Sequence, residues 1–451
     1  MIVMKFGGSS VADAERILGI TEIVRLRLER RPVVVVSALA GVTDLLERAV
    51  VAARRDQLEQ LEPVLADLER RHRWALAGCV ETAGPRHDLG LEIDGMFEDL
   101  RQRLRSIRIL GEGTPRAADS LLAFGETLAA RIVAAAFRDR GLPASCVDAR
   151  QVMVTDQRFG AAEPDLDSVH RRCAEQLLPR LDGGELPVLG GFVGSTAEGQ
   201  TTTLGRGGSD TSAAVLGSAL GAEEIQIWTD VDGFMTADPR KVPAARRLER
   251  LSFAEAAELA FHGARVLHPA SIAPAVQRQI PVRVLNSLRP AGEGTVILGE
   301  RPGADAPPLA SLASRGGTSA VRITDRRMRR DPGFLRQVLS AIESLERTPD
   351  LVIAGEVTVS LAVHGSVTGE QIDRRLGDTA AVEVLDDRAL VCTVGAGLGE
   401  SRVRARVLQA LAEWDPDMVA LGASRIGVTA VIREAKLEEA LRRLHLQFFE
   451  R

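Results

Sequence analysis

Two short apolar segments near the start, IVMKF (2–6) and PVVVVSAL (32–39), flank the longer stretch VADAERILGITEIVRLRLER (11–30). The long stretch repeats its apolar residues at helical spacing, while the flanking segments are short and rich in β-branched residues, as buried strands are. A strand, a helix and a second strand in this order join two parallel neighbours by a crossover. That confines this part of the chain to an α/β sandwich with a largely parallel sheet.

The turn after the first strand is GGSS (7–10), directly behind Lys5 and Phe6. Two readings are open at this point. Glycine backbone and hydroxyls beside a lysine suit a phosphate cradle; the same residues also make a tight turn and a helix cap. A compositional bias bears on the choice. Only Lys5, Lys241 and Lys436 are lysines among the 57 basic residues, so a lysine kept at position 5 is informative.

Residues 45–112 break the strand–helix alternation with a Glu/Arg/Leu-rich run of helical period, read as a helical insertion. Thr114 and Pro115 then predict a helix start, with threonine as cap and proline at the first position. Alternation resumes to about residue 297, and GERPGADAPP marks a linker at 298–310. Beyond it, strand and helix patterns recur in similar order over 311–385 and 386–451, predicting two small α+β units.

With 451 residues, several domains are expected. The net charge of −5 is spread along the chain and aromatics are 3% with no tyrosine, which argues against nucleic acid and membrane surfaces as partners. The four cysteines match neither a zinc ligand set nor a disulfide framework, and the seven histidines show no metal spacing. The longest aliphatic run is far too short to span a bilayer and no signal-like segment opens the chain, so a cytoplasmic setting is expected.

Three stretches stand out for chemistry. GGFVGSTAEGQTTTLGRGGSD (190–210) is too polar and too rich in glycine for core and suits a loop closing over a polar ligand. Within it, GRGGSD opens a helix, where Arg206 can grip an anion bidentately, although Ser209 or Asp210 can equally serve as a simple cap. WTDVDGFMTADPRKV (228–242) lacks calcium-loop spacing and suits nucleotide contacts, or is a solvated turn. VGAGLGES (394–401) has Glu400 where a dinucleotide fingerprint needs its third glycine, so it reads as a turn.

Seven ordered segments together resemble the aspartokinases of the amino acid kinase family: KFGGSSVAD (5–13), VVSALAGVTDLL (35–46), FGE (124–126), GGFVGSTAEGQTTTLGRGGSDTSA (190–213), WTDVDG (228–233), ADPR (237–240) and GARVLHP (263–269). The resemblance implies an amino acid kinase α/β/α sandwich over 1–297, carrying the helical insertion, followed by two ferredoxin-like ACT units. It implies transfer of a phosphoryl group from ATP, with Mg²⁺, to the β-carboxylate of L-aspartate, the first step of lysine, threonine and methionine biosynthesis. A non-catalytic amino-acid sensor and a kinase of another carboxylate are the alternatives.

By this resemblance Lys5, Gly7, Gly8 and Ser9 meet the ATP phosphates, and Thr229, Asp230, Met235, Arg240 and Arg265 complete the nucleotide site. Arg206 holds the substrate α-carboxylate and Glu126 its ammonium, in a pocket shaped by Ser37, Thr43, Phe192 and Ser209. Lys5, Asp210 and Arg206 form the catalytic set, with no metal ligand from the protein. Two positions depart from the family pattern: Arg265 stands where lysine is usual, and Met235 where tyrosine is usual. An amino-acid effector, lysine ahead of threonine, is expected at Met328, Asp331, Gly333, Phe334, Leu335, Asp350 and Glu356, with a homodimer formed through the ACT units or a higher homo-oligomer.

Overall fold

In the computed structural model the described residues are all except 264–266, 268, 300–307, 326–331, 378–379, 423 and 451, together with the side chains of 269 and 332. The chain divides into two compact units, 1–233 with 267–299, and 234–266 with 300–451.

The first unit is built on a sheet with strand order Ala144–Val147, Leu186–Gly190, Pro32–Val36, Ile2–Phe6, Glu224–Thr229, Val282–Asn286, Thr295–Leu298. All neighbours are parallel except the last strand, which runs antiparallel to Val282–Asn286. Every residue of Ile2–Phe6 and of Pro32–Val36 is buried. Helices cover both faces of such a sheet, which explains why VVVV lacks the apolar–polar alternation of a half-exposed strand. Phe6 and Trp228, on adjacent central strands, stack with ring centroids 5.9 Å apart in the core.

The helices begin where the chemistry of their first residues allows. The Asp13 carboxylate accepts from the Arg16 N–H and caps Ala14–Arg25. Thr114 accepts from the Ala117 N–H, with Pro115 first in the helix Pro115–Leu122, as the sequence predicts. The expected helical insertion consists of Val42–Arg54, Leu58–Cys79 and Ala83–Leu110. Residues Pro115–Asp139 are long and apolar enough to cross a membrane, yet 78% of their most apolar window is buried inside the protein.

The second unit carries an antiparallel sheet in the order Pro349–Ala354, Thr358–His364, Ser311–Asp325, Ala380–Val394, Gly427–Arg433, Met418–Leu421. Its two central strands are 15 residues long and serve two α+β halves. Thr318–Asp325 pairs with Ala380–Arg388 in one half, and Ser311–Arg315 pairs with Leu390–Val394 in the other, with a register shift between them. Val321, Ile323, Phe334 and Val338 build the first core; Leu312, Val391, Val407 and Leu441 build the second.

The compact units divide the chain differently from the expected boundaries in two ways. The halves are nested rather than sequential, because 311–315 completes the half formed mainly by 389–450. Residues 309–310, read as linker, are buried, and the Ala310 N–H donates to the Val394 carbonyl at 2.7 Å. The segment 234–266, read as part of the first domain, belongs to this unit as well. The Leu312 N–H donates to the Thr236 carbonyl at 2.8 Å, the Ser311 hydroxyl donates to the Met235 carbonyl at 2.7 Å, and Ala237 and Val242 join the second core.

Candidate active site

From the first strand the chain winds outward through 32–36 and 186–190, then returns to the opposite side of Ile2–Phe6 at Glu224–Thr229. Such a reversal leaves a crevice beyond the carboxyl ends of the strands, the usual ligand position in open α/β sheets. Gly7–Ser9, Ser37, Gly190–Phe192, Thr229 and Asp230 all lie at those ends. Backbone bonds pin the loops there. The Gly7 N–H donates to the Trp228 carbonyl at 2.9 Å, Ser37 N–H to Phe6 at 3.0 Å, and Gly191 N–H to Val36 at 2.8 Å.

Lys5 projects from the central strand and is 9% exposed. Its Nζ lies 2.6 Å from Oδ1 of Asp210, in the first turn of the helix Gly208–Leu220. No side chain caps that helix, and Gly207 precedes it in the left-handed region at φ 72°. The helix N-terminus therefore presents unpaired N–H groups and the positive end of its dipole beside a lysine ammonium. Arg206 is exposed next to it and has no hydrogen-bond or ion-pair partner among the described residues. A lysine ammonium and a helix N-terminus thus meet at one crevice, with Arg206 exposed beside them, an arrangement suited to anions.

Glu126 supplies the opposite sign. It sits in the first turn of Phe124–Asp139, 3% exposed, and its Oε2 has no hydrogen-bond partner. Burial pushes its carboxyl up to about 7, against the pull of hydrogen bonds with the Ala38 and Glu126 backbone and of the Lys5 charge. A buried acceptor without a donor is costly unless a ligand supplies one. The strand end packs tightly against it. A Cβ on Gly190 would stand 2.9 Å from the Glu126 carbonyl oxygen, and one on Gly191 would stand 2.8 Å from the Ser209 Cα.

Phe192 adopts φ 64°, a conformation that costs a non-glycine residue roughly 1–3 kcal/mol. Its surroundings hold it there. The Phe192 N–H donates to the Ser212 hydroxyl at 2.9 Å, and its carbonyl accepts from the Leu204 N–H at 2.9 Å. The hairpin Val193–Ser195 with Thr201–Thr203 is anchored by Asp119, a residue that sequence reasoning missed. Asp119 is 1% exposed and accepts from Gly160 N–H at 2.9 Å, Thr203 N–H at 3.0 Å and the Thr203 hydroxyl at 2.7 Å. Burial pushes its carboxyl above the ordinary range, against those three bonds. The available signal was an aspartate within an otherwise apolar helix face, ADSLLAFGE.

The first unit thus gathers Lys5, Gly7, Gly8, Ser9, Ser37, Glu126, Phe192, Arg206, Ser209, Asp210, Thr229 and Asp230 on strand ends, helix starts and the loops beside them. Thr43 lies in the first turn of Val42–Arg54, half-buried. The Thr229 hydroxyl donates to Asp230 at 3.1 Å, and the Thr229 carbonyl accepts from the Ser287 N–H at 2.8 Å. Met235 and Arg240 belong to the second unit. There Met235 bridges to Arg247, and Arg240 forks onto Asp238 at 3.0 and 2.8 Å. Arg265, Met328 and Asp331 lie outside the described residues.

Of the remaining expected effector positions, Gly333, Phe334 and Leu335 lie in the first turn of Pro332–Glu343. The Phe334 ring is buried in the first ACT-like core with Val321 and Ile323. Asp350 pairs with Arg315 at 2.5 Å, while its Oδ2 is buried without a hydrogen-bond partner. Burial raises its carboxyl above the ordinary value, with Arg315 pulling the other way. Glu356 sits in the turn between Pro349–Ala354 and Thr358–His364.

The amino acid kinase family matches residues 1–286, and an ACT domain matches 391–448. Lysine-sensitive aspartokinase 3 of Escherichia coli (strain K12) is 34% identical over 469 residues, which cover 100% of this chain and 99% of that protein. Two crystal structures of E. coli aspartokinase III are similar over the whole chain. The complex with lysine and aspartate (T-state) has a TM-score of 0.88 at 34% identity, covering 100% of this chain and 99% of that one. The complex with aspartate and ADP (R-state) has a TM-score of 0.81 at 33% identity, covering 100% of both chains. The chain belongs to the amino acid kinase family and, within it, to the aspartokinases.

Proposed function

We propose that this aspartokinase brings the γ-phosphoryl of ATP to the β-carboxylate of L-aspartate across the crevice bounded by Lys5, Asp210, Arg206 and Glu126. The carrying observation is the buried Lys5–Asp210 ion pair at an uncapped helix start, opposite a buried carboxylate with an orphaned oxygen. A carboxylate nucleophile is already ionised at neutral pH, at a pKa of about 3.9, so no general base is required. The obstacle is repulsion between two anions. Lys5 and the N–H groups of Gly208–Leu220 and of the Gly7–Ser9 turn offset it where charge builds during transfer. One carboxylate oxygen bonds to the γ-phosphorus as the bridging bond to ADP breaks, giving 4-phospho-L-aspartate.

Binding of aspartate divides by charge. Arg206 takes the α-carboxylate, Glu126 takes the ammonium, and Ser37, Thr43, Phe192 and Ser209 shape the walls. Thr229 and Asp230 approach the nucleotide from the neighbouring strand end. ATP arrives as its Mg²⁺ complex. The acidic side chain at the transfer centre, Asp210, is taken up by Lys5, which fits an ion carried by phosphate oxygens and water. Arg206→Ala is expected to raise the aspartate KM by about 30-fold or more while changing kcat little, because it removes uniform binding of a charged group. Steady-state ADP release read against aspartate concentration checks this. A loss confined to kcat would reject the role.

Feedback control is proposed to work through lysine at the first ACT half. The orphaned Oδ2 of Asp350 is an acceptor suited to a second ammonium, which lysine has and threonine lacks. Lysine added to the ADP-release assay should inhibit, and threonine or methionine alone should not. Inhibition by threonine alone would overturn the assignment.

A further inference from the structure

Outside the crevice, the second unit draws together three side chains that the sequence scatters. Glu258 and His262 lie four residues apart at the C-terminal end of the helix Phe253–Phe261, on one face. Cys392 comes from the long strand Ala380–Val394. One ligand atom from each lies within 4.8 Å of the others. We propose that Glu258, His262 and Cys392 form a zinc-type metal site within the second unit.

The separations leave room for an ion among the three donors. Glu258 Oε1 and His262 Nε2 are 3.4 Å apart. Thr429 Oγ1 stands 3.4 Å from His262 Nε2 and 3.4 Å from Cys392 Sγ. Nitrogen–oxygen hydrogen bonds cluster near about 2.9–3.0 Å, so the 3.4 Å between Glu258 and His262 is long for one. Bonds of about 2.0–2.3 Å in a tetrahedron place neighbouring ligands roughly 3.3–3.8 Å apart. The Glu258–His262 separation of 3.4 Å falls inside that range, and the Cys392 sulfur lies within 4.8 Å of both. The fourth position falls to a water held by the Thr429 hydroxyl.

The donor set selects the metal. One sulfur, one nitrogen and one oxygen suit zinc, whereas magnesium and calcium take oxygen. Binding requires the thiolate. A bound Zn²⁺ displaces the Cys392 thiol proton to solvent. Carboxylate, thiolate and neutral imidazole then balance the two positive charges. Cys392 is 0% and His262 7% exposed, while the Glu258 side chain is 22% exposed and is the side from which an ion enters. Burial makes this a structural or regulatory site, which would clamp Phe253–Phe261 to the strand Ala380–Val394.

The test uses the full chain, stripped with chelator under reducing conditions and dialysed against Zn²⁺ or Co²⁺. We expect one zinc per chain by elemental analysis, and a cobalt spectrum with tetrahedral d–d bands and a thiolate-to-metal charge-transfer band. Cys392→Ser should abolish the charge-transfer band, and His262→Gln should weaken zinc binding about 100-fold, with ADP release in the absence of lysine unchanged. The wild-type spectrum decides the matter independently of whether either variant folds. No stoichiometric zinc, or a cobalt complex without thiolate charge transfer, would overturn the proposal.

Discussion

Lys5→Met lowers kcat by about 10²–10³-fold and leaves the aspartate KM nearly unchanged, on the measure of other enzymes that lose one charge-stabilising donor. Methionine keeps the length and apolar stem of lysine and removes the ammonium. What is lost is the charge that offsets repulsion as the carboxylate oxygen approaches the phosphoryl group, an interaction strongest in the transition state. The variant also leaves Asp210 ionised without its partner, 2.6 Å away in the native pair. Breaking a largely buried pair from one side costs about 3 kcal/mol in stability. A second variant separates the two effects. Lys5→Met with Asp210→Asn should regain most of the lost stability in urea unfolding and recover no kcat. If kcat returned with stability, Lys5 would be a folding element only.

Glu126→Gln is expected to raise the aspartate KM about 100-fold at pH 8, the cost of removing a buried charge partner from an ammonium. The same change should stabilise the unliganded protein at that pH. The Glu126 carboxyl is raised to about 7 in the folded chain from an ordinary 4.5. The folded state therefore holds the proton more tightly than the unfolded state does. That contribution to stability is fully present below pH 4.5, declines as pH rises from 4.5 to 7, and is gone above the folded value. Glutamine removes this loss, a gain at pH 8 of about 3 kcal/mol as an upper bound. Aspartate binding in turn requires the ionised carboxylate, so below pH 7 the native enzyme must release a proton to bind substrate. Its aspartate KM should rise up to about tenfold per unit as pH falls from 7 toward 5, and the Glu126→Gln profile should be flat. Urea unfolding of the free protein and KM profiles of both proteins check the two halves. A native KM independent of pH would contradict the role given to Glu126.

How far the sequence carries differs from feature to feature. VVVV at 33–36 announces a strand covered on both faces, and GRGGSD announces a helix start with no room for side chains, because both are local consequences of side-chain shape. The ion pair between Lys5 and Asp210 joins two elements that only the parallel sheet brings side by side; the family resemblance placed both residues in the catalytic set where spacing alone left a cap or a cradle open. The role of Asp119 was hidden because its three donors come from a distant loop and a distant strand, although an aspartate in an apolar helix face was a signal. Nesting of the two ACT halves was hidden for a related reason. A 15-residue strand that serves both halves carries one unbroken pattern, and only its partners reveal that 311–315 and 318–325 belong to different cores. The same holds for 234–266, whose polar loop and short helix give no sign of the core they join. Cys392 and His262 are each unremarkable alone, since a metal set drawn from a helix and a strand has no motif spacing.

The most direct test of the transfer chemistry is hydroxylamine trapping of the acyl phosphate. Purified full-length protein with Mg·ATP and aspartate should yield aspartyl hydroxamate in step with ADP release, and Lys5→Met should lose both in the same proportion. No hydroxamate from folded wild-type protein at saturating aspartate and ATP, or undiminished hydroxamate from Lys5→Met, would contradict the account.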